Sequence, residues 1–111
     1  MIIYVDIDET ICSTPLDPNT KNPIYRNAIA LTERIKKLNR LFELGHEIIY
    51  WTARGTRSGI NHEDLTKTQL KEWGVRYHGL KFKKPYYDIF IDDKNFNASV
   101  LDNDSMELLE K

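Results

Sequence analysis

One cysteine, Cys12, is all the thiol chemistry this 111-residue chain holds, so no disulfide can form within it. That usage is compatible with a reducing cytosol. Long hydrophobic runs are missing too: no stretch approaches the ~20 apolar residues of a membrane span. Met1 leads straight into Ile2 with no basic segment before it, so no leader peptide is expected. The protein is therefore expected to be cytoplasmic and without a membrane partner. Charge of one sign is also lacking. Against 17 Asp and Glu stand 16 Lys and Arg, a net −1, so no overall field attracts nucleic acid or anionic lipid. Nucleic acid is not an expected partner. With three histidines and one cysteine there is no Cys/His cluster of the kind that holds zinc. Neither an internal repeat nor a low-complexity linker breaks the chain. Its length suits one domain over 1–111, with little room for a second lobe.

What is present begins at the first residues. Ile2 to Val5 run apolar or aromatic without a polar break, then give way to Asp6, Asp8 and Thr10. A short apolar run that stops at a polar turn reads as a strand buried on both faces of a parallel sheet. Ligands of such sheets bind beyond the carboxyl ends of the strands. Two carboxylates thus arrive where that architecture does its chemistry. Taken alone, the stretch is equally a surface turn, because Asp and Thr are common turn formers. Cys12 is expected to be a small buried residue rather than a nucleophile, since no histidine is near it in sequence. Residues 11–26 carry Pro15, Pro18 and Pro23 with Asp17, Asn19 and Asn22. They read as a loop or small hairpin flap hanging over the acidic turn. Its Tyr25 and Arg26 either face a ligand or belong to an ordinary connection.

Leu31, Ile35, Leu38, Leu41 and Phe42 recur at helical spacing, which predicts an amphipathic helix over 27–44 with Gly45 just past its end. Glu47 to Trp51 gives a second strand, ending in the small basic loop Thr52-Ala53-Arg54-Gly55-Thr56-Arg57-Ser58-Gly59. A second helix is predicted over 61–73, with Asn61 as its N-cap and Leu65, Leu70 and Trp73 on its apolar side. A short strand is expected within 77–82 and a last one at Ile89-Phe90-Ile91, which ends in Asp92-Asp93-Lys94. The polar tail is expected to hold a short helix over 106–109. This alternation predicts an α/β fold, with right-handed crossovers and a mainly parallel central sheet between layers of helix.

Three apolar strands then end in polar residues: Asp6 and Asp8, Thr52, and Asp92 and Asp93. In a parallel sheet those ends share one edge, and Lys84, just before the last strand, can reach it. Four carboxylates close together repel one another and call for a cation. Hard oxygen ligands favour Mg²⁺. The Thr52 hydroxyl and the Lys84 ammonium suit the equatorial oxygens of a transferring phosphoryl group. A carboxylate can act as covalent nucleophile, and a second can protonate the leaving oxygen and then activate water. Ala53 and Arg54 belong to the expected substrate-binding loop. Arg54, Arg57 and Arg26 are candidates to pair with a second anionic group.

Asp6-Ile-Asp8-Glu-Thr10 resembles the DxDxT signature of the haloacid dehalogenase superfamily of phosphohydrolases. Thr52, Lys84 and the pair Asp92-Asp93 resemble that family's remaining motifs, in order, and the resemblance spans residues 2–94. It implies a Rossmann-like three-layer sandwich, Mg²⁺ and an aspartyl-phosphate intermediate. By position, Asp6 resembles the nucleophile and a metal ligand. Asp8 resembles the acid/base, with its backbone carbonyl on the metal. Thr52 and Lys84 match the phosphate-holding residues. Asp93 resembles the direct metal ligand, with Asp92 acting through water or Lys84, and the two are interchangeable in this reading. No segment is long enough for a large cap domain. The chain is thus similar to small capless phosphatases encoded beside capsular or surface-polysaccharide genes. Dehalogenation is not expected, because the second Asp belongs to the phosphatase branch.

The expected activity is hydrolysis of a phosphate monoester, from a small phosphorylated metabolite such as a sugar phosphate or a nucleotide. A homo-oligomer, with a neighbouring subunit as the missing cap, is a further expectation left open. One alternative is a receiver-type phosphoacceptor signalling domain, but here Lys84 precedes the last strand and acids end it, the reverse of a receiver's order. A silent binding domain leaves Asp6, Asp8 and Lys84 unexplained. A polynucleotide-end phosphatase would call for a basic groove that the near-neutral charge does not support.

Overall fold

The computed structural model describes residues 1–103. The chain forms β1 (Ile2–Val5), β2 (Cys12–Ser13), β3 (Ile29–Ala30), helix α1 (Thr32–Glu43), β4 (Glu47–Trp51), helix α2 (Glu63–Glu72) and β5 (Gly79–Lys81). Short 3-10 turns cover Tyr25–Asn27 and Ala98–Asp102. The main sheet is parallel, in the order β1-β4-β5. Two β–α–β crossovers build it, as expected for continuous apolar strands alternating with amphipathic helices.

The core follows from the apolar spacing. Ile35, Leu38 and Leu41 of α1 and Leu70 of α2 join Val5, Ile48 and Tyr50 of the sheet in one cluster. Ile2 and Tyr4 point to the sheet's other face and are exposed. No second helical layer covers that face among the described residues. The architecture is thus a small α/β fold with a three-stranded parallel sheet and two helices. No helix among the described residues is long and apolar enough to cross a membrane.

Both long strands have the expected bounds. The first helix is shorter than the expected 27–44. Ile29 and Ala30 pair antiparallel with Ser13 and Cys12 instead, and α1 starts only at Thr32. That small sheet, with a bridge between Leu16 and Pro23, folds the flap back over the turn after β1. At α2, His62 occupies the N-cap position, while the Asn61 side chain accepts the Glu63 N–H at 2.8 Å.

The expected last strand at 89–91 is not formed. Lys83 adopts a left-handed φ of 65°. Just past it the Lys84 N–H still donates to the Thr52 carbonyl, at 3.1 Å. Ile89, Phe90 and Ile91 have no strand beside them and are exposed, Ile91 to 93 %. A three-residue apolar run has no strand structure without a neighbouring ladder. The expected helix over 106–109 lies outside the described residues.

Candidate active site

The turn after β1 is a knot of backbone hydrogen bonds. Thr10 and Ile11 N–H groups both reach the Ile7 carbonyl, at 3.1 and 2.9 Å, and the Glu9 N–H reaches the Cys12 carbonyl at 2.8 Å. Ile7 is fully buried and anchors the turn. Asp6 and Asp8, on either side of it, stay half-buried at the sheet's carboxyl edge. Arg34 of α1 braces the outside of the turn through the Glu9 and Thr10 carbonyls, and pairs with Asp102 at 2.9 Å.

Asp6 accepts the Ile7 N–H at 2.9 Å, and the Lys84 ammonium lies 3.8 Å from the same oxygen. Burial raises the Asp6 carboxyl above the usual carboxylate range, although the Lys84 charge and the Ile7 N–H pull the other way. Lys84 is held in place through its backbone. Its carbonyl accepts the Thr56 hydroxyl at 2.8 Å, and its N–H donates to Thr52. The Thr52 side chain is nearly inaccessible, and its hydroxyl accepts the Arg54 N–H at 3.1 Å.

Asp8 meets a different environment. Arg54 Nε donates to Asp8 Oδ2 at 3.0 Å and Nη2 donates to Oδ1 at 2.9 Å, a bidentate pair. The Thr14 hydroxyl also donates to Oδ1. Arg54 Nη1 donates to Thr66 at 3.2 Å and to Gln69 at 2.6 Å. The expectation that Arg54 pairs with a second anionic group therefore meets a guanidinium already committed inside the protein. Arg26 and Arg57 are exposed, and Arg57 lies over the Tyr86 ring at 4.4 Å.

A cavity of about 230 Å³ opens between these acids and the flap. Asp6, Asp8 and Glu9 supply its acidic side; Leu16, Pro23 and Tyr25 close it from the flap; Ala53 and Arg54 complete it. A larger open cleft of about 440 Å³ lies at the start of α1, but its charged groups are Glu33 and the Arg34–Asp102 pair. The smaller cavity is the candidate site, because two carboxyl groups, Asp6 and Asp8, line it and the Lys84 ammonium lies beside Asp6.

Of the four expected metal ligands, Asp6 and Asp8 come together. Asp92 and Asp93 are exposed on a segment outside regular secondary structure. Among the described residues no three His, Cys, Asp or Glu side chains are grouped to hold a metal ion. Of the residues that do meet, Asp6 offers the hard oxygen donor that a Mg²⁺ ion would need. A hard carboxylate whose charge is disfavoured by burial is one that a divalent cation stabilises. Both side-chain oxygens of Asp8 are engaged by Arg54, so its carboxylate is a poorer metal donor.

Thr14, Thr66, Gln69 and Arg34 did not emerge from the sequence as site residues. A signal existed for two of them. Thr66 and Gln69 share the buried face of α2 with Leu70, at positions where an apolar stripe would be expected. Cys12 is fully buried, and burial pushes its thiol up to about 11, as suits a packing residue.

No protein-family model matches the chain. No curated protein matches it either. A crystal structure of a structural-genomics target from Vibrio cholerae is similar in fold, with a TM-score of 0.81 over 98% of this chain and 93% of that one. The two sequences are 23% identical, so the likeness speaks for the α/β fold alone.

Proposed function

We propose that this chain is a Mg²⁺-dependent phosphoric monoester hydrolase, in which Asp6 takes the phosphoryl group and Asp8 moves the protons. The observation that carries this reading is the meeting of Asp6 and Asp8 with the Lys84 ammonium, 3.8 Å from Asp6, beside a cavity at the carboxyl edge of a parallel sheet. The resemblance to haloacid dehalogenase phosphatases supports the same roles. In the first step an Asp6 oxygen bonds to phosphorus, the ester P–O bond breaks, and the Asp8 proton passes to the leaving oxygen. In the second, Asp8 takes a proton from water, and the water oxygen displaces phosphate from Asp6. Lys84 offsets the negative charge that gathers on the phosphoryl oxygens. Mg²⁺ held at Asp6 would neutralise the repulsion between that carboxylate and the anionic substrate.

The finer form of the fold belongs to this reading. In a Rossmann-like three-layer sandwich, Ile89–Ile91 would add to the free edge of β1 and carry Asp92 and Asp93 toward Asp6. Two features support it: β1 ends the sheet on one side, and Ile89 and Ile91 are large apolar side chains 79 and 93 % exposed. The cavity's size suits a small phosphorylated metabolite.

The test compares Asp6→Asn with Asp8→Asn on two kinds of ester. Asp6→Asn is expected to abolish turnover of all of them. Asp8→Asn should lose about 10²–10⁴-fold in the first step with alkyl phosphates. With nitrophenyl phosphate it should release a burst of phenolate and then stall, with phosphate held on Asp6. Rapid quench with intact-mass measurement reads both. Robust turnover by Asp6→Asn, with no phosphoenzyme in either variant, would refute covalent catalysis.

A further inference from the structure

We infer that Arg54 is a positioning residue for Asp8, not a substrate contact, and that it leaves Asp8 Oδ2 the less engaged of the two carboxylate oxygens. The inference rests on the phosphatase reading for its kinetic consequence, but its geometry stands apart from that reading. The Arg54 side chain is 0 % exposed. Its guanidinium spends Nε and Nη2 on Asp8 and Nη1 on Thr66 and Gln69, so every nitrogen is committed. Arg offers a rigid planar fork of donors, which a lysine cannot reproduce.

The rest of the fold fixes that fork. The Arg54 backbone is held by the Thr52 hydroxyl. Gly55 follows at φ +83°, and a Cβ there would stand 2.1 Å from the Ile60 carbonyl oxygen. The Gln69 amide bridges two elements: its Oε1 accepts from Arg54, and its Nε2 donates to the Tyr25 carbonyl at 2.7 Å. The Tyr25 ring also faces the guanidinium, 4.8 Å from ring centre to carbon. One cation therefore ties the turn after β1, the loop after β4, α2 and the flap together.

The two Asp8 oxygens are then unequal. Oδ1 accepts from Arg54 Nη2 and from the Thr14 hydroxyl, with the Cys12 thiol 3.6 Å away. Among the described residues Oδ2 accepts only from Arg54 Nε. A carboxylate has about four lone-pair sites, so Oδ2 keeps one open. On the phosphatase reading it is the oxygen with a lone pair left to exchange a proton with the ester oxygen and then with water.

The experiment uses Arg54→Lys and Gln69→Ala in the full chain, with kinetics on an alkyl phosphate and on nitrophenyl phosphate, and hydrogen exchange of the flap amides without substrate. For Arg54→Lys, kcat on the alkyl ester should fall by about 10²–10⁴-fold while KM stays within about threefold, because proton transfer and not binding is lost. Single-turnover release of nitrophenolate should fall by about tenfold or less. Gln69→Ala should show the same pattern, weaker, and it serves if Arg54→Lys does not fold. In both variants the flap amides should exchange faster than in the parent. A raised KM with kcat kept would overturn the inference and return Arg54 to the substrate. Unchanged flap exchange in a folded variant would also overturn it. Absence of phosphatase activity in the parent chain would sink the phosphatase reading instead, and the exchange measurement would still decide the role of Arg54.

Discussion

Replacing Asp6 or Asp8 by asparagine should move the stability of this protein, in opposite directions. Asp8 is the anionic partner of a fully buried guanidinium. Asp8→Asn leaves that cation without its counter-charge and turns an amide N–H₂ toward an Arg54 nitrogen. Breaking a buried pair from one side costs about 3–5 kcal/mol. Asp8 is itself 24 % exposed, so water screens part of the loss and the lower end, about 3 kcal/mol, applies. With a urea m value of about 1–3 kcal/mol/M, the unfolding midpoint should drop by about 1–3 M. Asp6 behaves oppositely. Burial opposes its charge more than the Lys84 ammonium favours it, so its folded-state pKa is raised, and water reaching its 40 % exposed side chain screens part of the effect. A carboxyl with a raised folded pKa weakens the fold above that pKa, and the penalty fades as pH falls toward its ordinary value of about 3.9. Asp6→Asn removes the penalty and keeps an acceptor for the Ile7 N–H, so it should raise the midpoint at pH 7 and bring no gain in acid. Urea titrations of the three proteins at pH 7 and in acid measure both effects. A shift of the same sign for both variants at pH 7 would refute the contrast drawn between these environments.

Three further outcomes follow from the same geometry. If Asp6 holds Mg²⁺ as proposed, the ion should raise the Tm of the parent, by an amount equivalent to about 2.7 kcal/mol at a hundred times Kd, and leave Asp6→Asn unmoved; equal shifts would remove Asp6 from the proposed metal site. Cys12, with its thiol pushed up to about 11 and no exposure, should alkylate slowly in the native protein at pH 8 and rapidly in denaturant, and equal rates would contradict its burial. Gly55→Ala should destabilise by more than about 1 kcal/mol and by more than Gly45→Ala, since both glycines have positive φ but only Gly55 lies against backbone; equal unfolding midpoints would show that the Ile60 carbonyl yields.

Much of the scaffold was readable because its causes are local. Ile2–Val5 and Glu47–Trp51 are short, nearly continuous apolar stretches, and a stretch of that kind ended by polar residues has few alternatives to a buried strand. Asp6 and Asp8 follow β1 directly, so their place at its carboxyl end comes with the strand. Lys84 is expected at that edge from its place before a last strand; that strand is not formed, and Lys84 instead lies 3.8 Å from Asp6 because it follows β5 and bonds the Thr52 carbonyl.

What the sequence by itself determined is therefore the alternation of strand and helix and the acids at the end of β1, since both depend on residues adjacent in the chain. The tertiary structure decided the remainder. It moved the start of α1 by pairing Ile29–Ala30 with Cys12–Ser13, a competition that helical periodicity cannot register. It left Ile89–Ile91 outside the sheet, because a strand needs a neighbour and none of the described strands pairs with them. It also gave Arg54 to Asp8, Thr66 and Gln69 rather than to solvent. A guanidinium in a basic loop looks the same in sequence whether it meets a ligand or a buried carboxylate. Only the folding of α2 and the flap around it excludes water and makes the carboxylate its partner.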